Sequence, residues 1–102
     1  MIIVSGVFEV LPGEQAEFLR GRHGLMTRSR AEKGCLEYTF SADPLDPSRV
    51  LLFEKWASIE DLRAHQEAGR APAPKEGVPE EEPLPAKSAA VSFFEVVAEV
   101  TP

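Results

Sequence analysis

Four stretches with a two-residue apolar period, two helical stretches set between them, and clusters of Pro, Gly and Asp where the period changes predict an α+β fold. Their order is that of the split βαβ, ferredoxin-like plan, an antiparallel four-stranded sheet with helices on one face. The chain has 102 residues, enough for one core and too few for two, so residues 1–102 are expected to form a single domain. Apolar residues make up 43% and charged residues 27% of it, a balance that can bury a core and that a disordered chain lacks.

The first strand spans Ile2 to Val10, with Ile2, Val4, Phe8 and Val10 in one phase and Ile3, Ser5, Val7 and Glu9 in the other. Leu11-Pro12-Gly13 breaks it. Glu14 to about Glu32 then reads as one helix, since Phe18, Leu19, Leu25, Met26 and Ser29 fall near one stripe. Gly21 and Gly24 weaken that helix, each by about 1 kcal/mol relative to Ala. Arg20, Arg22, Arg28 and Arg30 read as its solvated face, and His23 as exposed. Lys33-Gly34 supplies a stop. Cys35 to Ala42 resumes the two-residue period with Leu36, Tyr38 and Phe40 together. The turn residues Asp43 to Ser48 join this second strand to a third, Arg49 to Ala57, as a hairpin. In the third strand Leu51 and Phe53 oppose Val50, Leu52, Glu54 and Trp56.

Ser58 stands three residues before Asp61, the spacing of a helix N-cap, and Glu60 and Asp61 suit the positive end of the helix dipole. A second helix is predicted from Ile59 to about Ala68, with Ile59, Leu62, His65 and Gln66 on one side and Gly69 as its stop. Residues 70–87 hold five of the nine prolines and no apolar period, so a long extended loop is expected there. Ser88 to Val100 reads as the fourth strand, with Ala90, Phe94, Val96, Ala98 and Val100 in one phase and Val91, Phe93 and Val97 in the other.

Two helices cover only one face of such a sheet. The other face, to which Val91, Phe93 and Val97 are assigned, would leave an apolar patch that a soluble monomer rarely shows, so a homodimer is expected. The net charge of −6 and the lack of a Lys or Arg block exclude nucleic acid as a partner. No stretch approaches a membrane span, and the alternating, Glu9-containing start differs from a signal peptide, so a cytoplasmic protein is expected. The single Cys35 has no partner for a disulfide and no metal-ligand spacing around it; no metal site is predicted.

Two stretches carry a resemblance. Lys33-Gly34-Cys35-Leu36-Glu37-Tyr38 and the run LFEKWASIEDLRAH from Leu52 to His65 resemble the two most recognisable passages of the antibiotic biosynthesis monooxygenase domain. These are its "pGc-eY" lead into the second strand and its "E-W-s-ed-l-aH" passage from the third strand into the second helix. The resemblance implies a dimeric α/β barrel, in which the sheets of two subunits pack together and each monomer holds a pocket between its own sheet and helices. It also implies monooxygenation without a metal, flavin or other cofactor. An electron-rich aromatic substrate, such as a small quinol or polyphenol, is deprotonated and its anion reduces dioxygen directly. The family's relatives include haem-degrading enzymes and members of no known activity. The haem-degrading branch is similar at Trp56 but relies on an Asn in the first strand, and this chain contains no Asn. After His65 relatives continue with a small-residue, His- and aromatic-containing segment, where this chain has its Pro-rich run.

Five residues are candidates for a site. His65 lies at the edge of the buried stripe, where a neutral imidazole accepts a proton, although a packing or helix-end role fits the same position. Trp56 offers a flat wall and one N–H donor to a ring ligand; Tyr38 and Phe40 offer a second wall and a phenol, and all three equally suit a core. Glu54 shares the phase of Leu52 and Trp56, where burial raises a carboxyl's pKa. It reads as a substrate contact or base, or as half of an ion pair at the dimer interface. The function readings are thus a cofactor-independent monooxygenase with His65 as proton acceptor, or a non-catalytic dimer that binds a small ligand or serves a structural role.

Overall fold

The computed structural model describes residues 1–70 and 85–101. Its strands are β1 (Ile2–Glu9), β2 (Cys35–Ala42), β3 (Arg49–Trp56) and β4 (Ser88–Glu95), and its helices α1 (Gln15–Arg20), α2 (His23–Arg30) and α3 (Ile59–Arg70). The strands form one antiparallel sheet in the order β2-β3-β1-β4, the α+β, ferredoxin-like arrangement. Most of the expected loop, residues 71–84, lies outside the described residues.

Register assigns each side chain to a face, because directly paired residues point the same way. One row on the helix side runs Tyr38, Glu54, Val4, Phe93 across all four strands, and the next runs Phe40, Leu52, Gly6, Val91. Val91 and Phe93 therefore belong to the helix side, a correction to the face assigned from sequence. The period of two holds over Ser88–Glu95 and not over Val96 to Val100, and only the pairing of β4 with β1 decides which phase faces the helices. The open face carries instead Ile3, Val7, Leu51, Phe53, Ala90 and Phe94.

The helix side of β2, β3 and β1 forms the core. Val4, Val10, Phe18, Tyr38, Phe40, Val50, Leu52, Trp56 and Leu62 are buried there. Phe8, Phe18 and Phe40 pack at ring separations of 5.5 to 6.3 Å, and Tyr38 joins Phe40 at 6.0 Å.

The single helix expected over Glu14 to Glu32 is two. The Gly21 N–H still reaches Glu17 O, but the Arg22 N–H reaches back only three residues to Leu19 O, and α-type bonding resumes with Met26 N–H to Arg22 O. Glycine has the least to gain from a helical backbone, and the tightened turn falls on it. Arg22, expected in solvent, lays its guanidinium 4.0 Å over the Phe18 ring. The second half lies along the edge of β2, where Phe40 N–H donates to Met26 Sδ at 3.4 Å and Arg30 Nε donates to Tyr38 O at 2.8 Å. These bonds occupy backbone groups that an edge strand otherwise leaves open.

Two other boundaries move. The helix expected to stop at Gly69, α3, continues through it to Arg70, since Gly69 keeps a negative φ and, among the described residues, only Gly13 and Gly34 adopt positive ones. The fourth strand ends at Glu95 rather than Val100: Glu95, opposite Ile2, is the last residue in register with β1, and Val96 N–H bonds Met1 O.

The turn into α3 is locally determined. Ser58 Oγ accepts from Asp61 N–H at 3.2 Å and donates to Asp61 Oδ2 at 2.9 Å, as the N-cap spacing predicts. Gly34, at φ +79°, accepts from Ala57 N–H at 2.8 Å, and any Cβ there would run into the Asp61 carboxylate. Gly34 thus seats the start of α3 against the strand β2 begins.

Candidate active site

Three elements bring side chains together beneath α3. From β3, alternation places Glu54 and Trp56 on the helix side, two residues apart, and Trp56 Nε1 donates to Glu54 Oε1 at 2.9 Å. Trp56 is fully buried and Glu54 is 5% exposed. From β2 comes Tyr38, paired with Glu54 in the register. From α3, His65 descends one turn beyond Leu62 and packs its ring 4.7 Å from Trp56 and 5.3 Å from Tyr38.

The imidazole lies between two carboxylates. Its Nδ1 is 2.7 Å from Glu32 Oε1, and its Nε2 is 3.8 Å from Glu54 Oε1. The first distance is a strong hydrogen bond; the second is an electrostatic contact too long for one. Glu32 sits in the turn between α2 and β2 and is partly open to solvent. A groove of about 370 Å³ runs past it, lined by Glu32, Lys33, Glu60, Asp61, Ala64 and His65.

The electrostatics follow from burial. Burial raises the Glu54 carboxyl above its ordinary value, the Trp56 hydrogen bond and His65 hold it down in part, and Glu32 pushes it further up. Burial, then the Glu54 carboxylate, pushes the Tyr38 phenol far above its usual range, so Tyr38 stays protonated. The Cys35 thiol is raised by burial and by Glu32 and Glu54, which suits an unreactive packing role.

Of the candidates read from sequence, the fold unites His65, Trp56, Tyr38 and Glu54. Phe40 stands apart from His65, reaching the cluster only through Tyr38. Glu54 faces the helices and not the open sheet face, so an ion pair across a sheet-to-sheet interface is ruled out for it. Its alternation with Phe53 left both faces possible until register chose. The residue that sequence reasoning missed is Glu32. It is 33 residues from His65 and reads locally as one more acid at a helix end, with nothing in its neighbourhood to mark it. Among the described residues no group of three or more His, Cys, Asp or Glu is arranged to hold a metal ion. Among the same residues no helix is long and apolar enough to cross a membrane.

A family model for antibiotic biosynthesis monooxygenases matches residues 1–73. The chain belongs to the antibiotic biosynthesis monooxygenase family. An uncharacterized protein of Synechocystis sp. is 33% identical over 64 residues, 63% of this chain but only 44% of that protein. The match thus spans less than half the length of this relative. Among solved structures, a candidate antibiotic biosynthesis monooxygenase from Deinococcus radiodurans superposes with a TM-score of 0.74 at 17% identity, covering 100% of this chain and 98% of that one. The haem-degrader MhuD of Mycobacterium tuberculosis, solved with two haems in its active site, gives 0.72 at 21% identity over 99% and 100% of the two chains. At these identities the likeness is one of fold.

Proposed function

We propose that this member of the family is a monooxygenase that needs no metal or flavin, acts on a small quinol or polyphenol, and uses His65 as its proton acceptor. The observation that carries this reading is the imidazole held between Glu32 and Glu54 and walled by Trp56 and Tyr38. With Nδ1 engaged by Glu32, the ring's other nitrogen is turned toward the interior. The helix-side floor continues from Glu54 through Val4 to Phe93, with Val91 one row on. Phe93 and Val91 are 55% and 46% exposed, an open apolar shelf on which an aromatic ring can lie with a hydroxyl directed at the Glu54–His65 corner.

The chemistry asked of the protein is modest. Proton removal makes an electron-rich anion that transfers electrons to dioxygen. One oxygen atom enters the ring and the other leaves as water, so a hydroquinone plus dioxygen gives a hydroxyquinone plus water. Binding, orientation and one positioned base suffice. The working unit in this reading is a homodimer, supported by the open sheet face, where Phe53 and Phe94 are 41% and 55% exposed beside Ile3, Val7 and Leu51.

The test is oxygen uptake by purified, metal-free protein over a panel of quinols, naphthoquinols and anthrones, with light scattering on the same sample. The expected results are acceleration over buffer, a loss of about 10²- to 10⁴-fold in His65→Ala, and the dimer mass. No acceleration with any substrate would overturn the oxygenase reading in favour of a binding or structural dimer, and a monomer mass would overturn the dimer. The haems in MhuD suggest a competing ligand. Tight haem binding accompanied by ring cleavage with a reductant would replace the quinol.

A further inference from the structure

We propose that Glu32 is the positioning residue of this site: it fixes the His65 ring in the tautomer that carries its proton on Nδ1, leaving Nε2 as the bare nitrogen facing the interior. The role assigned to that nitrogen rests on the reading of His65 as base; the tautomer itself rests only on geometry.

A neutral imidazole carries one N–H and one lone pair, and the partner of one nitrogen decides the state of the other. An ionised carboxylate only accepts, so the nitrogen 2.7 Å from Glu32 Oε1 must be the donor. The groups around the ring leave no stronger competitor. On β3, Glu54 Oε1 lies 3.8 Å from Nε2, beyond hydrogen-bond reach, and it already accepts from Trp56 Nε1. On β2, the Tyr38 phenol stays protonated. On α3 itself, Asp61 is one turn back and engaged by Ser58, while Lys33 and Glu60 line the groove beside the ring.

The ring is also fixed against rotation. Trp56 and Tyr38 pack against it on one side, at 4.7 and 5.3 Å, and Glu32 holds the nitrogen on the solvent side. Without the carboxylate, a histidine side chain in water favours the opposite tautomer, with the proton on Nε2, and that form presents a donor where the reaction needs an acceptor.

The experiment is nitrogen NMR of the full chain labelled at histidine, at a pH where both rings are neutral. The chain has two histidines, and the exposed His23 serves as internal reference, assigned with the His23→Gln variant. In the wild-type protein one ring should show a protonated Nδ1 and a bare Nε2. In Glu32→Ala and Glu32→Gln that signature should be lost, and Glu32→Asp should restore part of it. With an active substrate in hand, kcat should fall at least about tenfold in Glu32→Gln with KM little changed, a fraction of what a positioned base supplies.

A wild-type His65 protonated on Nε2, or a signature unchanged by both substitutions, overturns the proposal. So does a tautomer that switches while kcat does not. Wild-type protein inactive on every substrate would instead defeat the oxygenase reading, and the nitrogen signature would still decide the pairing.

Discussion

The two strands that flank β1 in the sheet have opposite fates. β3 and β4 are each eight residues long, both run antiparallel to β1 over the whole of Ile2–Glu9, and both carry large apolar side chains on the helix side. On β3 those side chains are Val50, Leu52 and Trp56, and all are buried; on β4 every residue is exposed. Pairing with β1 satisfies the facing backbone edge of both strands over the same length, although β3 also pairs with β2 while β4 is an edge strand. What differs is the layer above, since the helices pack over β2 and β3 while nothing among the described residues covers β4. A strand's apolar pattern states what it is able to bury, and a neighbouring layer decides whether it does.

The largest effect should come from testing that contrast directly. Trp56→Ala removes the largest fully buried side chain and should cost about 3–5 kcal/mol, whereas Phe93→Ala on β4 should stay within about 0.5 kcal/mol. Urea unfolding of the two variants measures both. A Phe93→Ala cost of several kcal/mol would mean that β4 is covered in solution and would remove the contrast.

A smaller effect should come from unseating the layer itself. Gly34→Ala places a Cβ at positive φ and against Asp61, whose carboxylate belongs to the N-cap of α3. A cost of about 2–3 kcal/mol is expected, with hydrogen exchange rising along α3 and at the β3 residues beneath it. Exchange unchanged in α3 would show that the helix holds β3 closed without this seat. Ala16→Gly, at an exposed position of α1, provides the scale for an ordinary helix defect at about 1 kcal/mol.

The smallest effect concerns charge in the covered half. Burial raises the Glu54 carboxyl, so the native state holds its proton at a pH where the unfolded chain has released it. The favourable contribution is complete below the unfolded value, near pH 4, and is lost as pH rises through the higher folded value. Glu54→Gln keeps an acceptor for Trp56 Nε1 and removes the charge. It should therefore gain about 1 kcal/mol at pH 7 and almost nothing below pH 4, while Glu95→Gln on exposed β4 changes little at either pH. Thermal unfolding at the two pH values checks the sign. A gain larger at low pH would contradict it.

Local rules made much of this molecule legible in advance. The period of two in β1, β2 and β3 marked Val4, Tyr38, Phe40, Leu52 and Trp56 as one phase of each strand, and those residues lie in the core, whereas Leu36, placed in the phase of Tyr38 and Phe40, is exposed because a bulge between Cys35 and Glu37 shifts the register. Ser58 announced the start of α3, because a cap depends on residues a few places apart, whereas the stop expected at Lys33-Gly34 comes earlier, with α2 ending at Arg30 and Gly34 forming the turn just before β2. The Leu52 to His65 passage pointed to Trp56, Glu54 and His65 together, since two residues on one strand and one on the following helix are joined by a single short turn.

Tertiary structure alone decided the rest. Which phase of β4 faces the helices, and how far β4 runs, depend on its register with β1, which ends at the Ile2–Glu95 pair. Gly21 and Gly24 marked a weakness in the first helix, but the apolar stripe continued across it, so only backbone geometry showed that the helix breaks there. The pairing of Glu32 with His65 joins residues 33 positions apart through a turn that precedes β2 and a helix that follows β3, brought to the same open end of the hairpin by its register. A sequence states which side chains can donate, accept or stack over a few residues. Whether two of them meet across such a distance is set by the packing of whole elements, and that is where the candidate site acquired its second carboxylate.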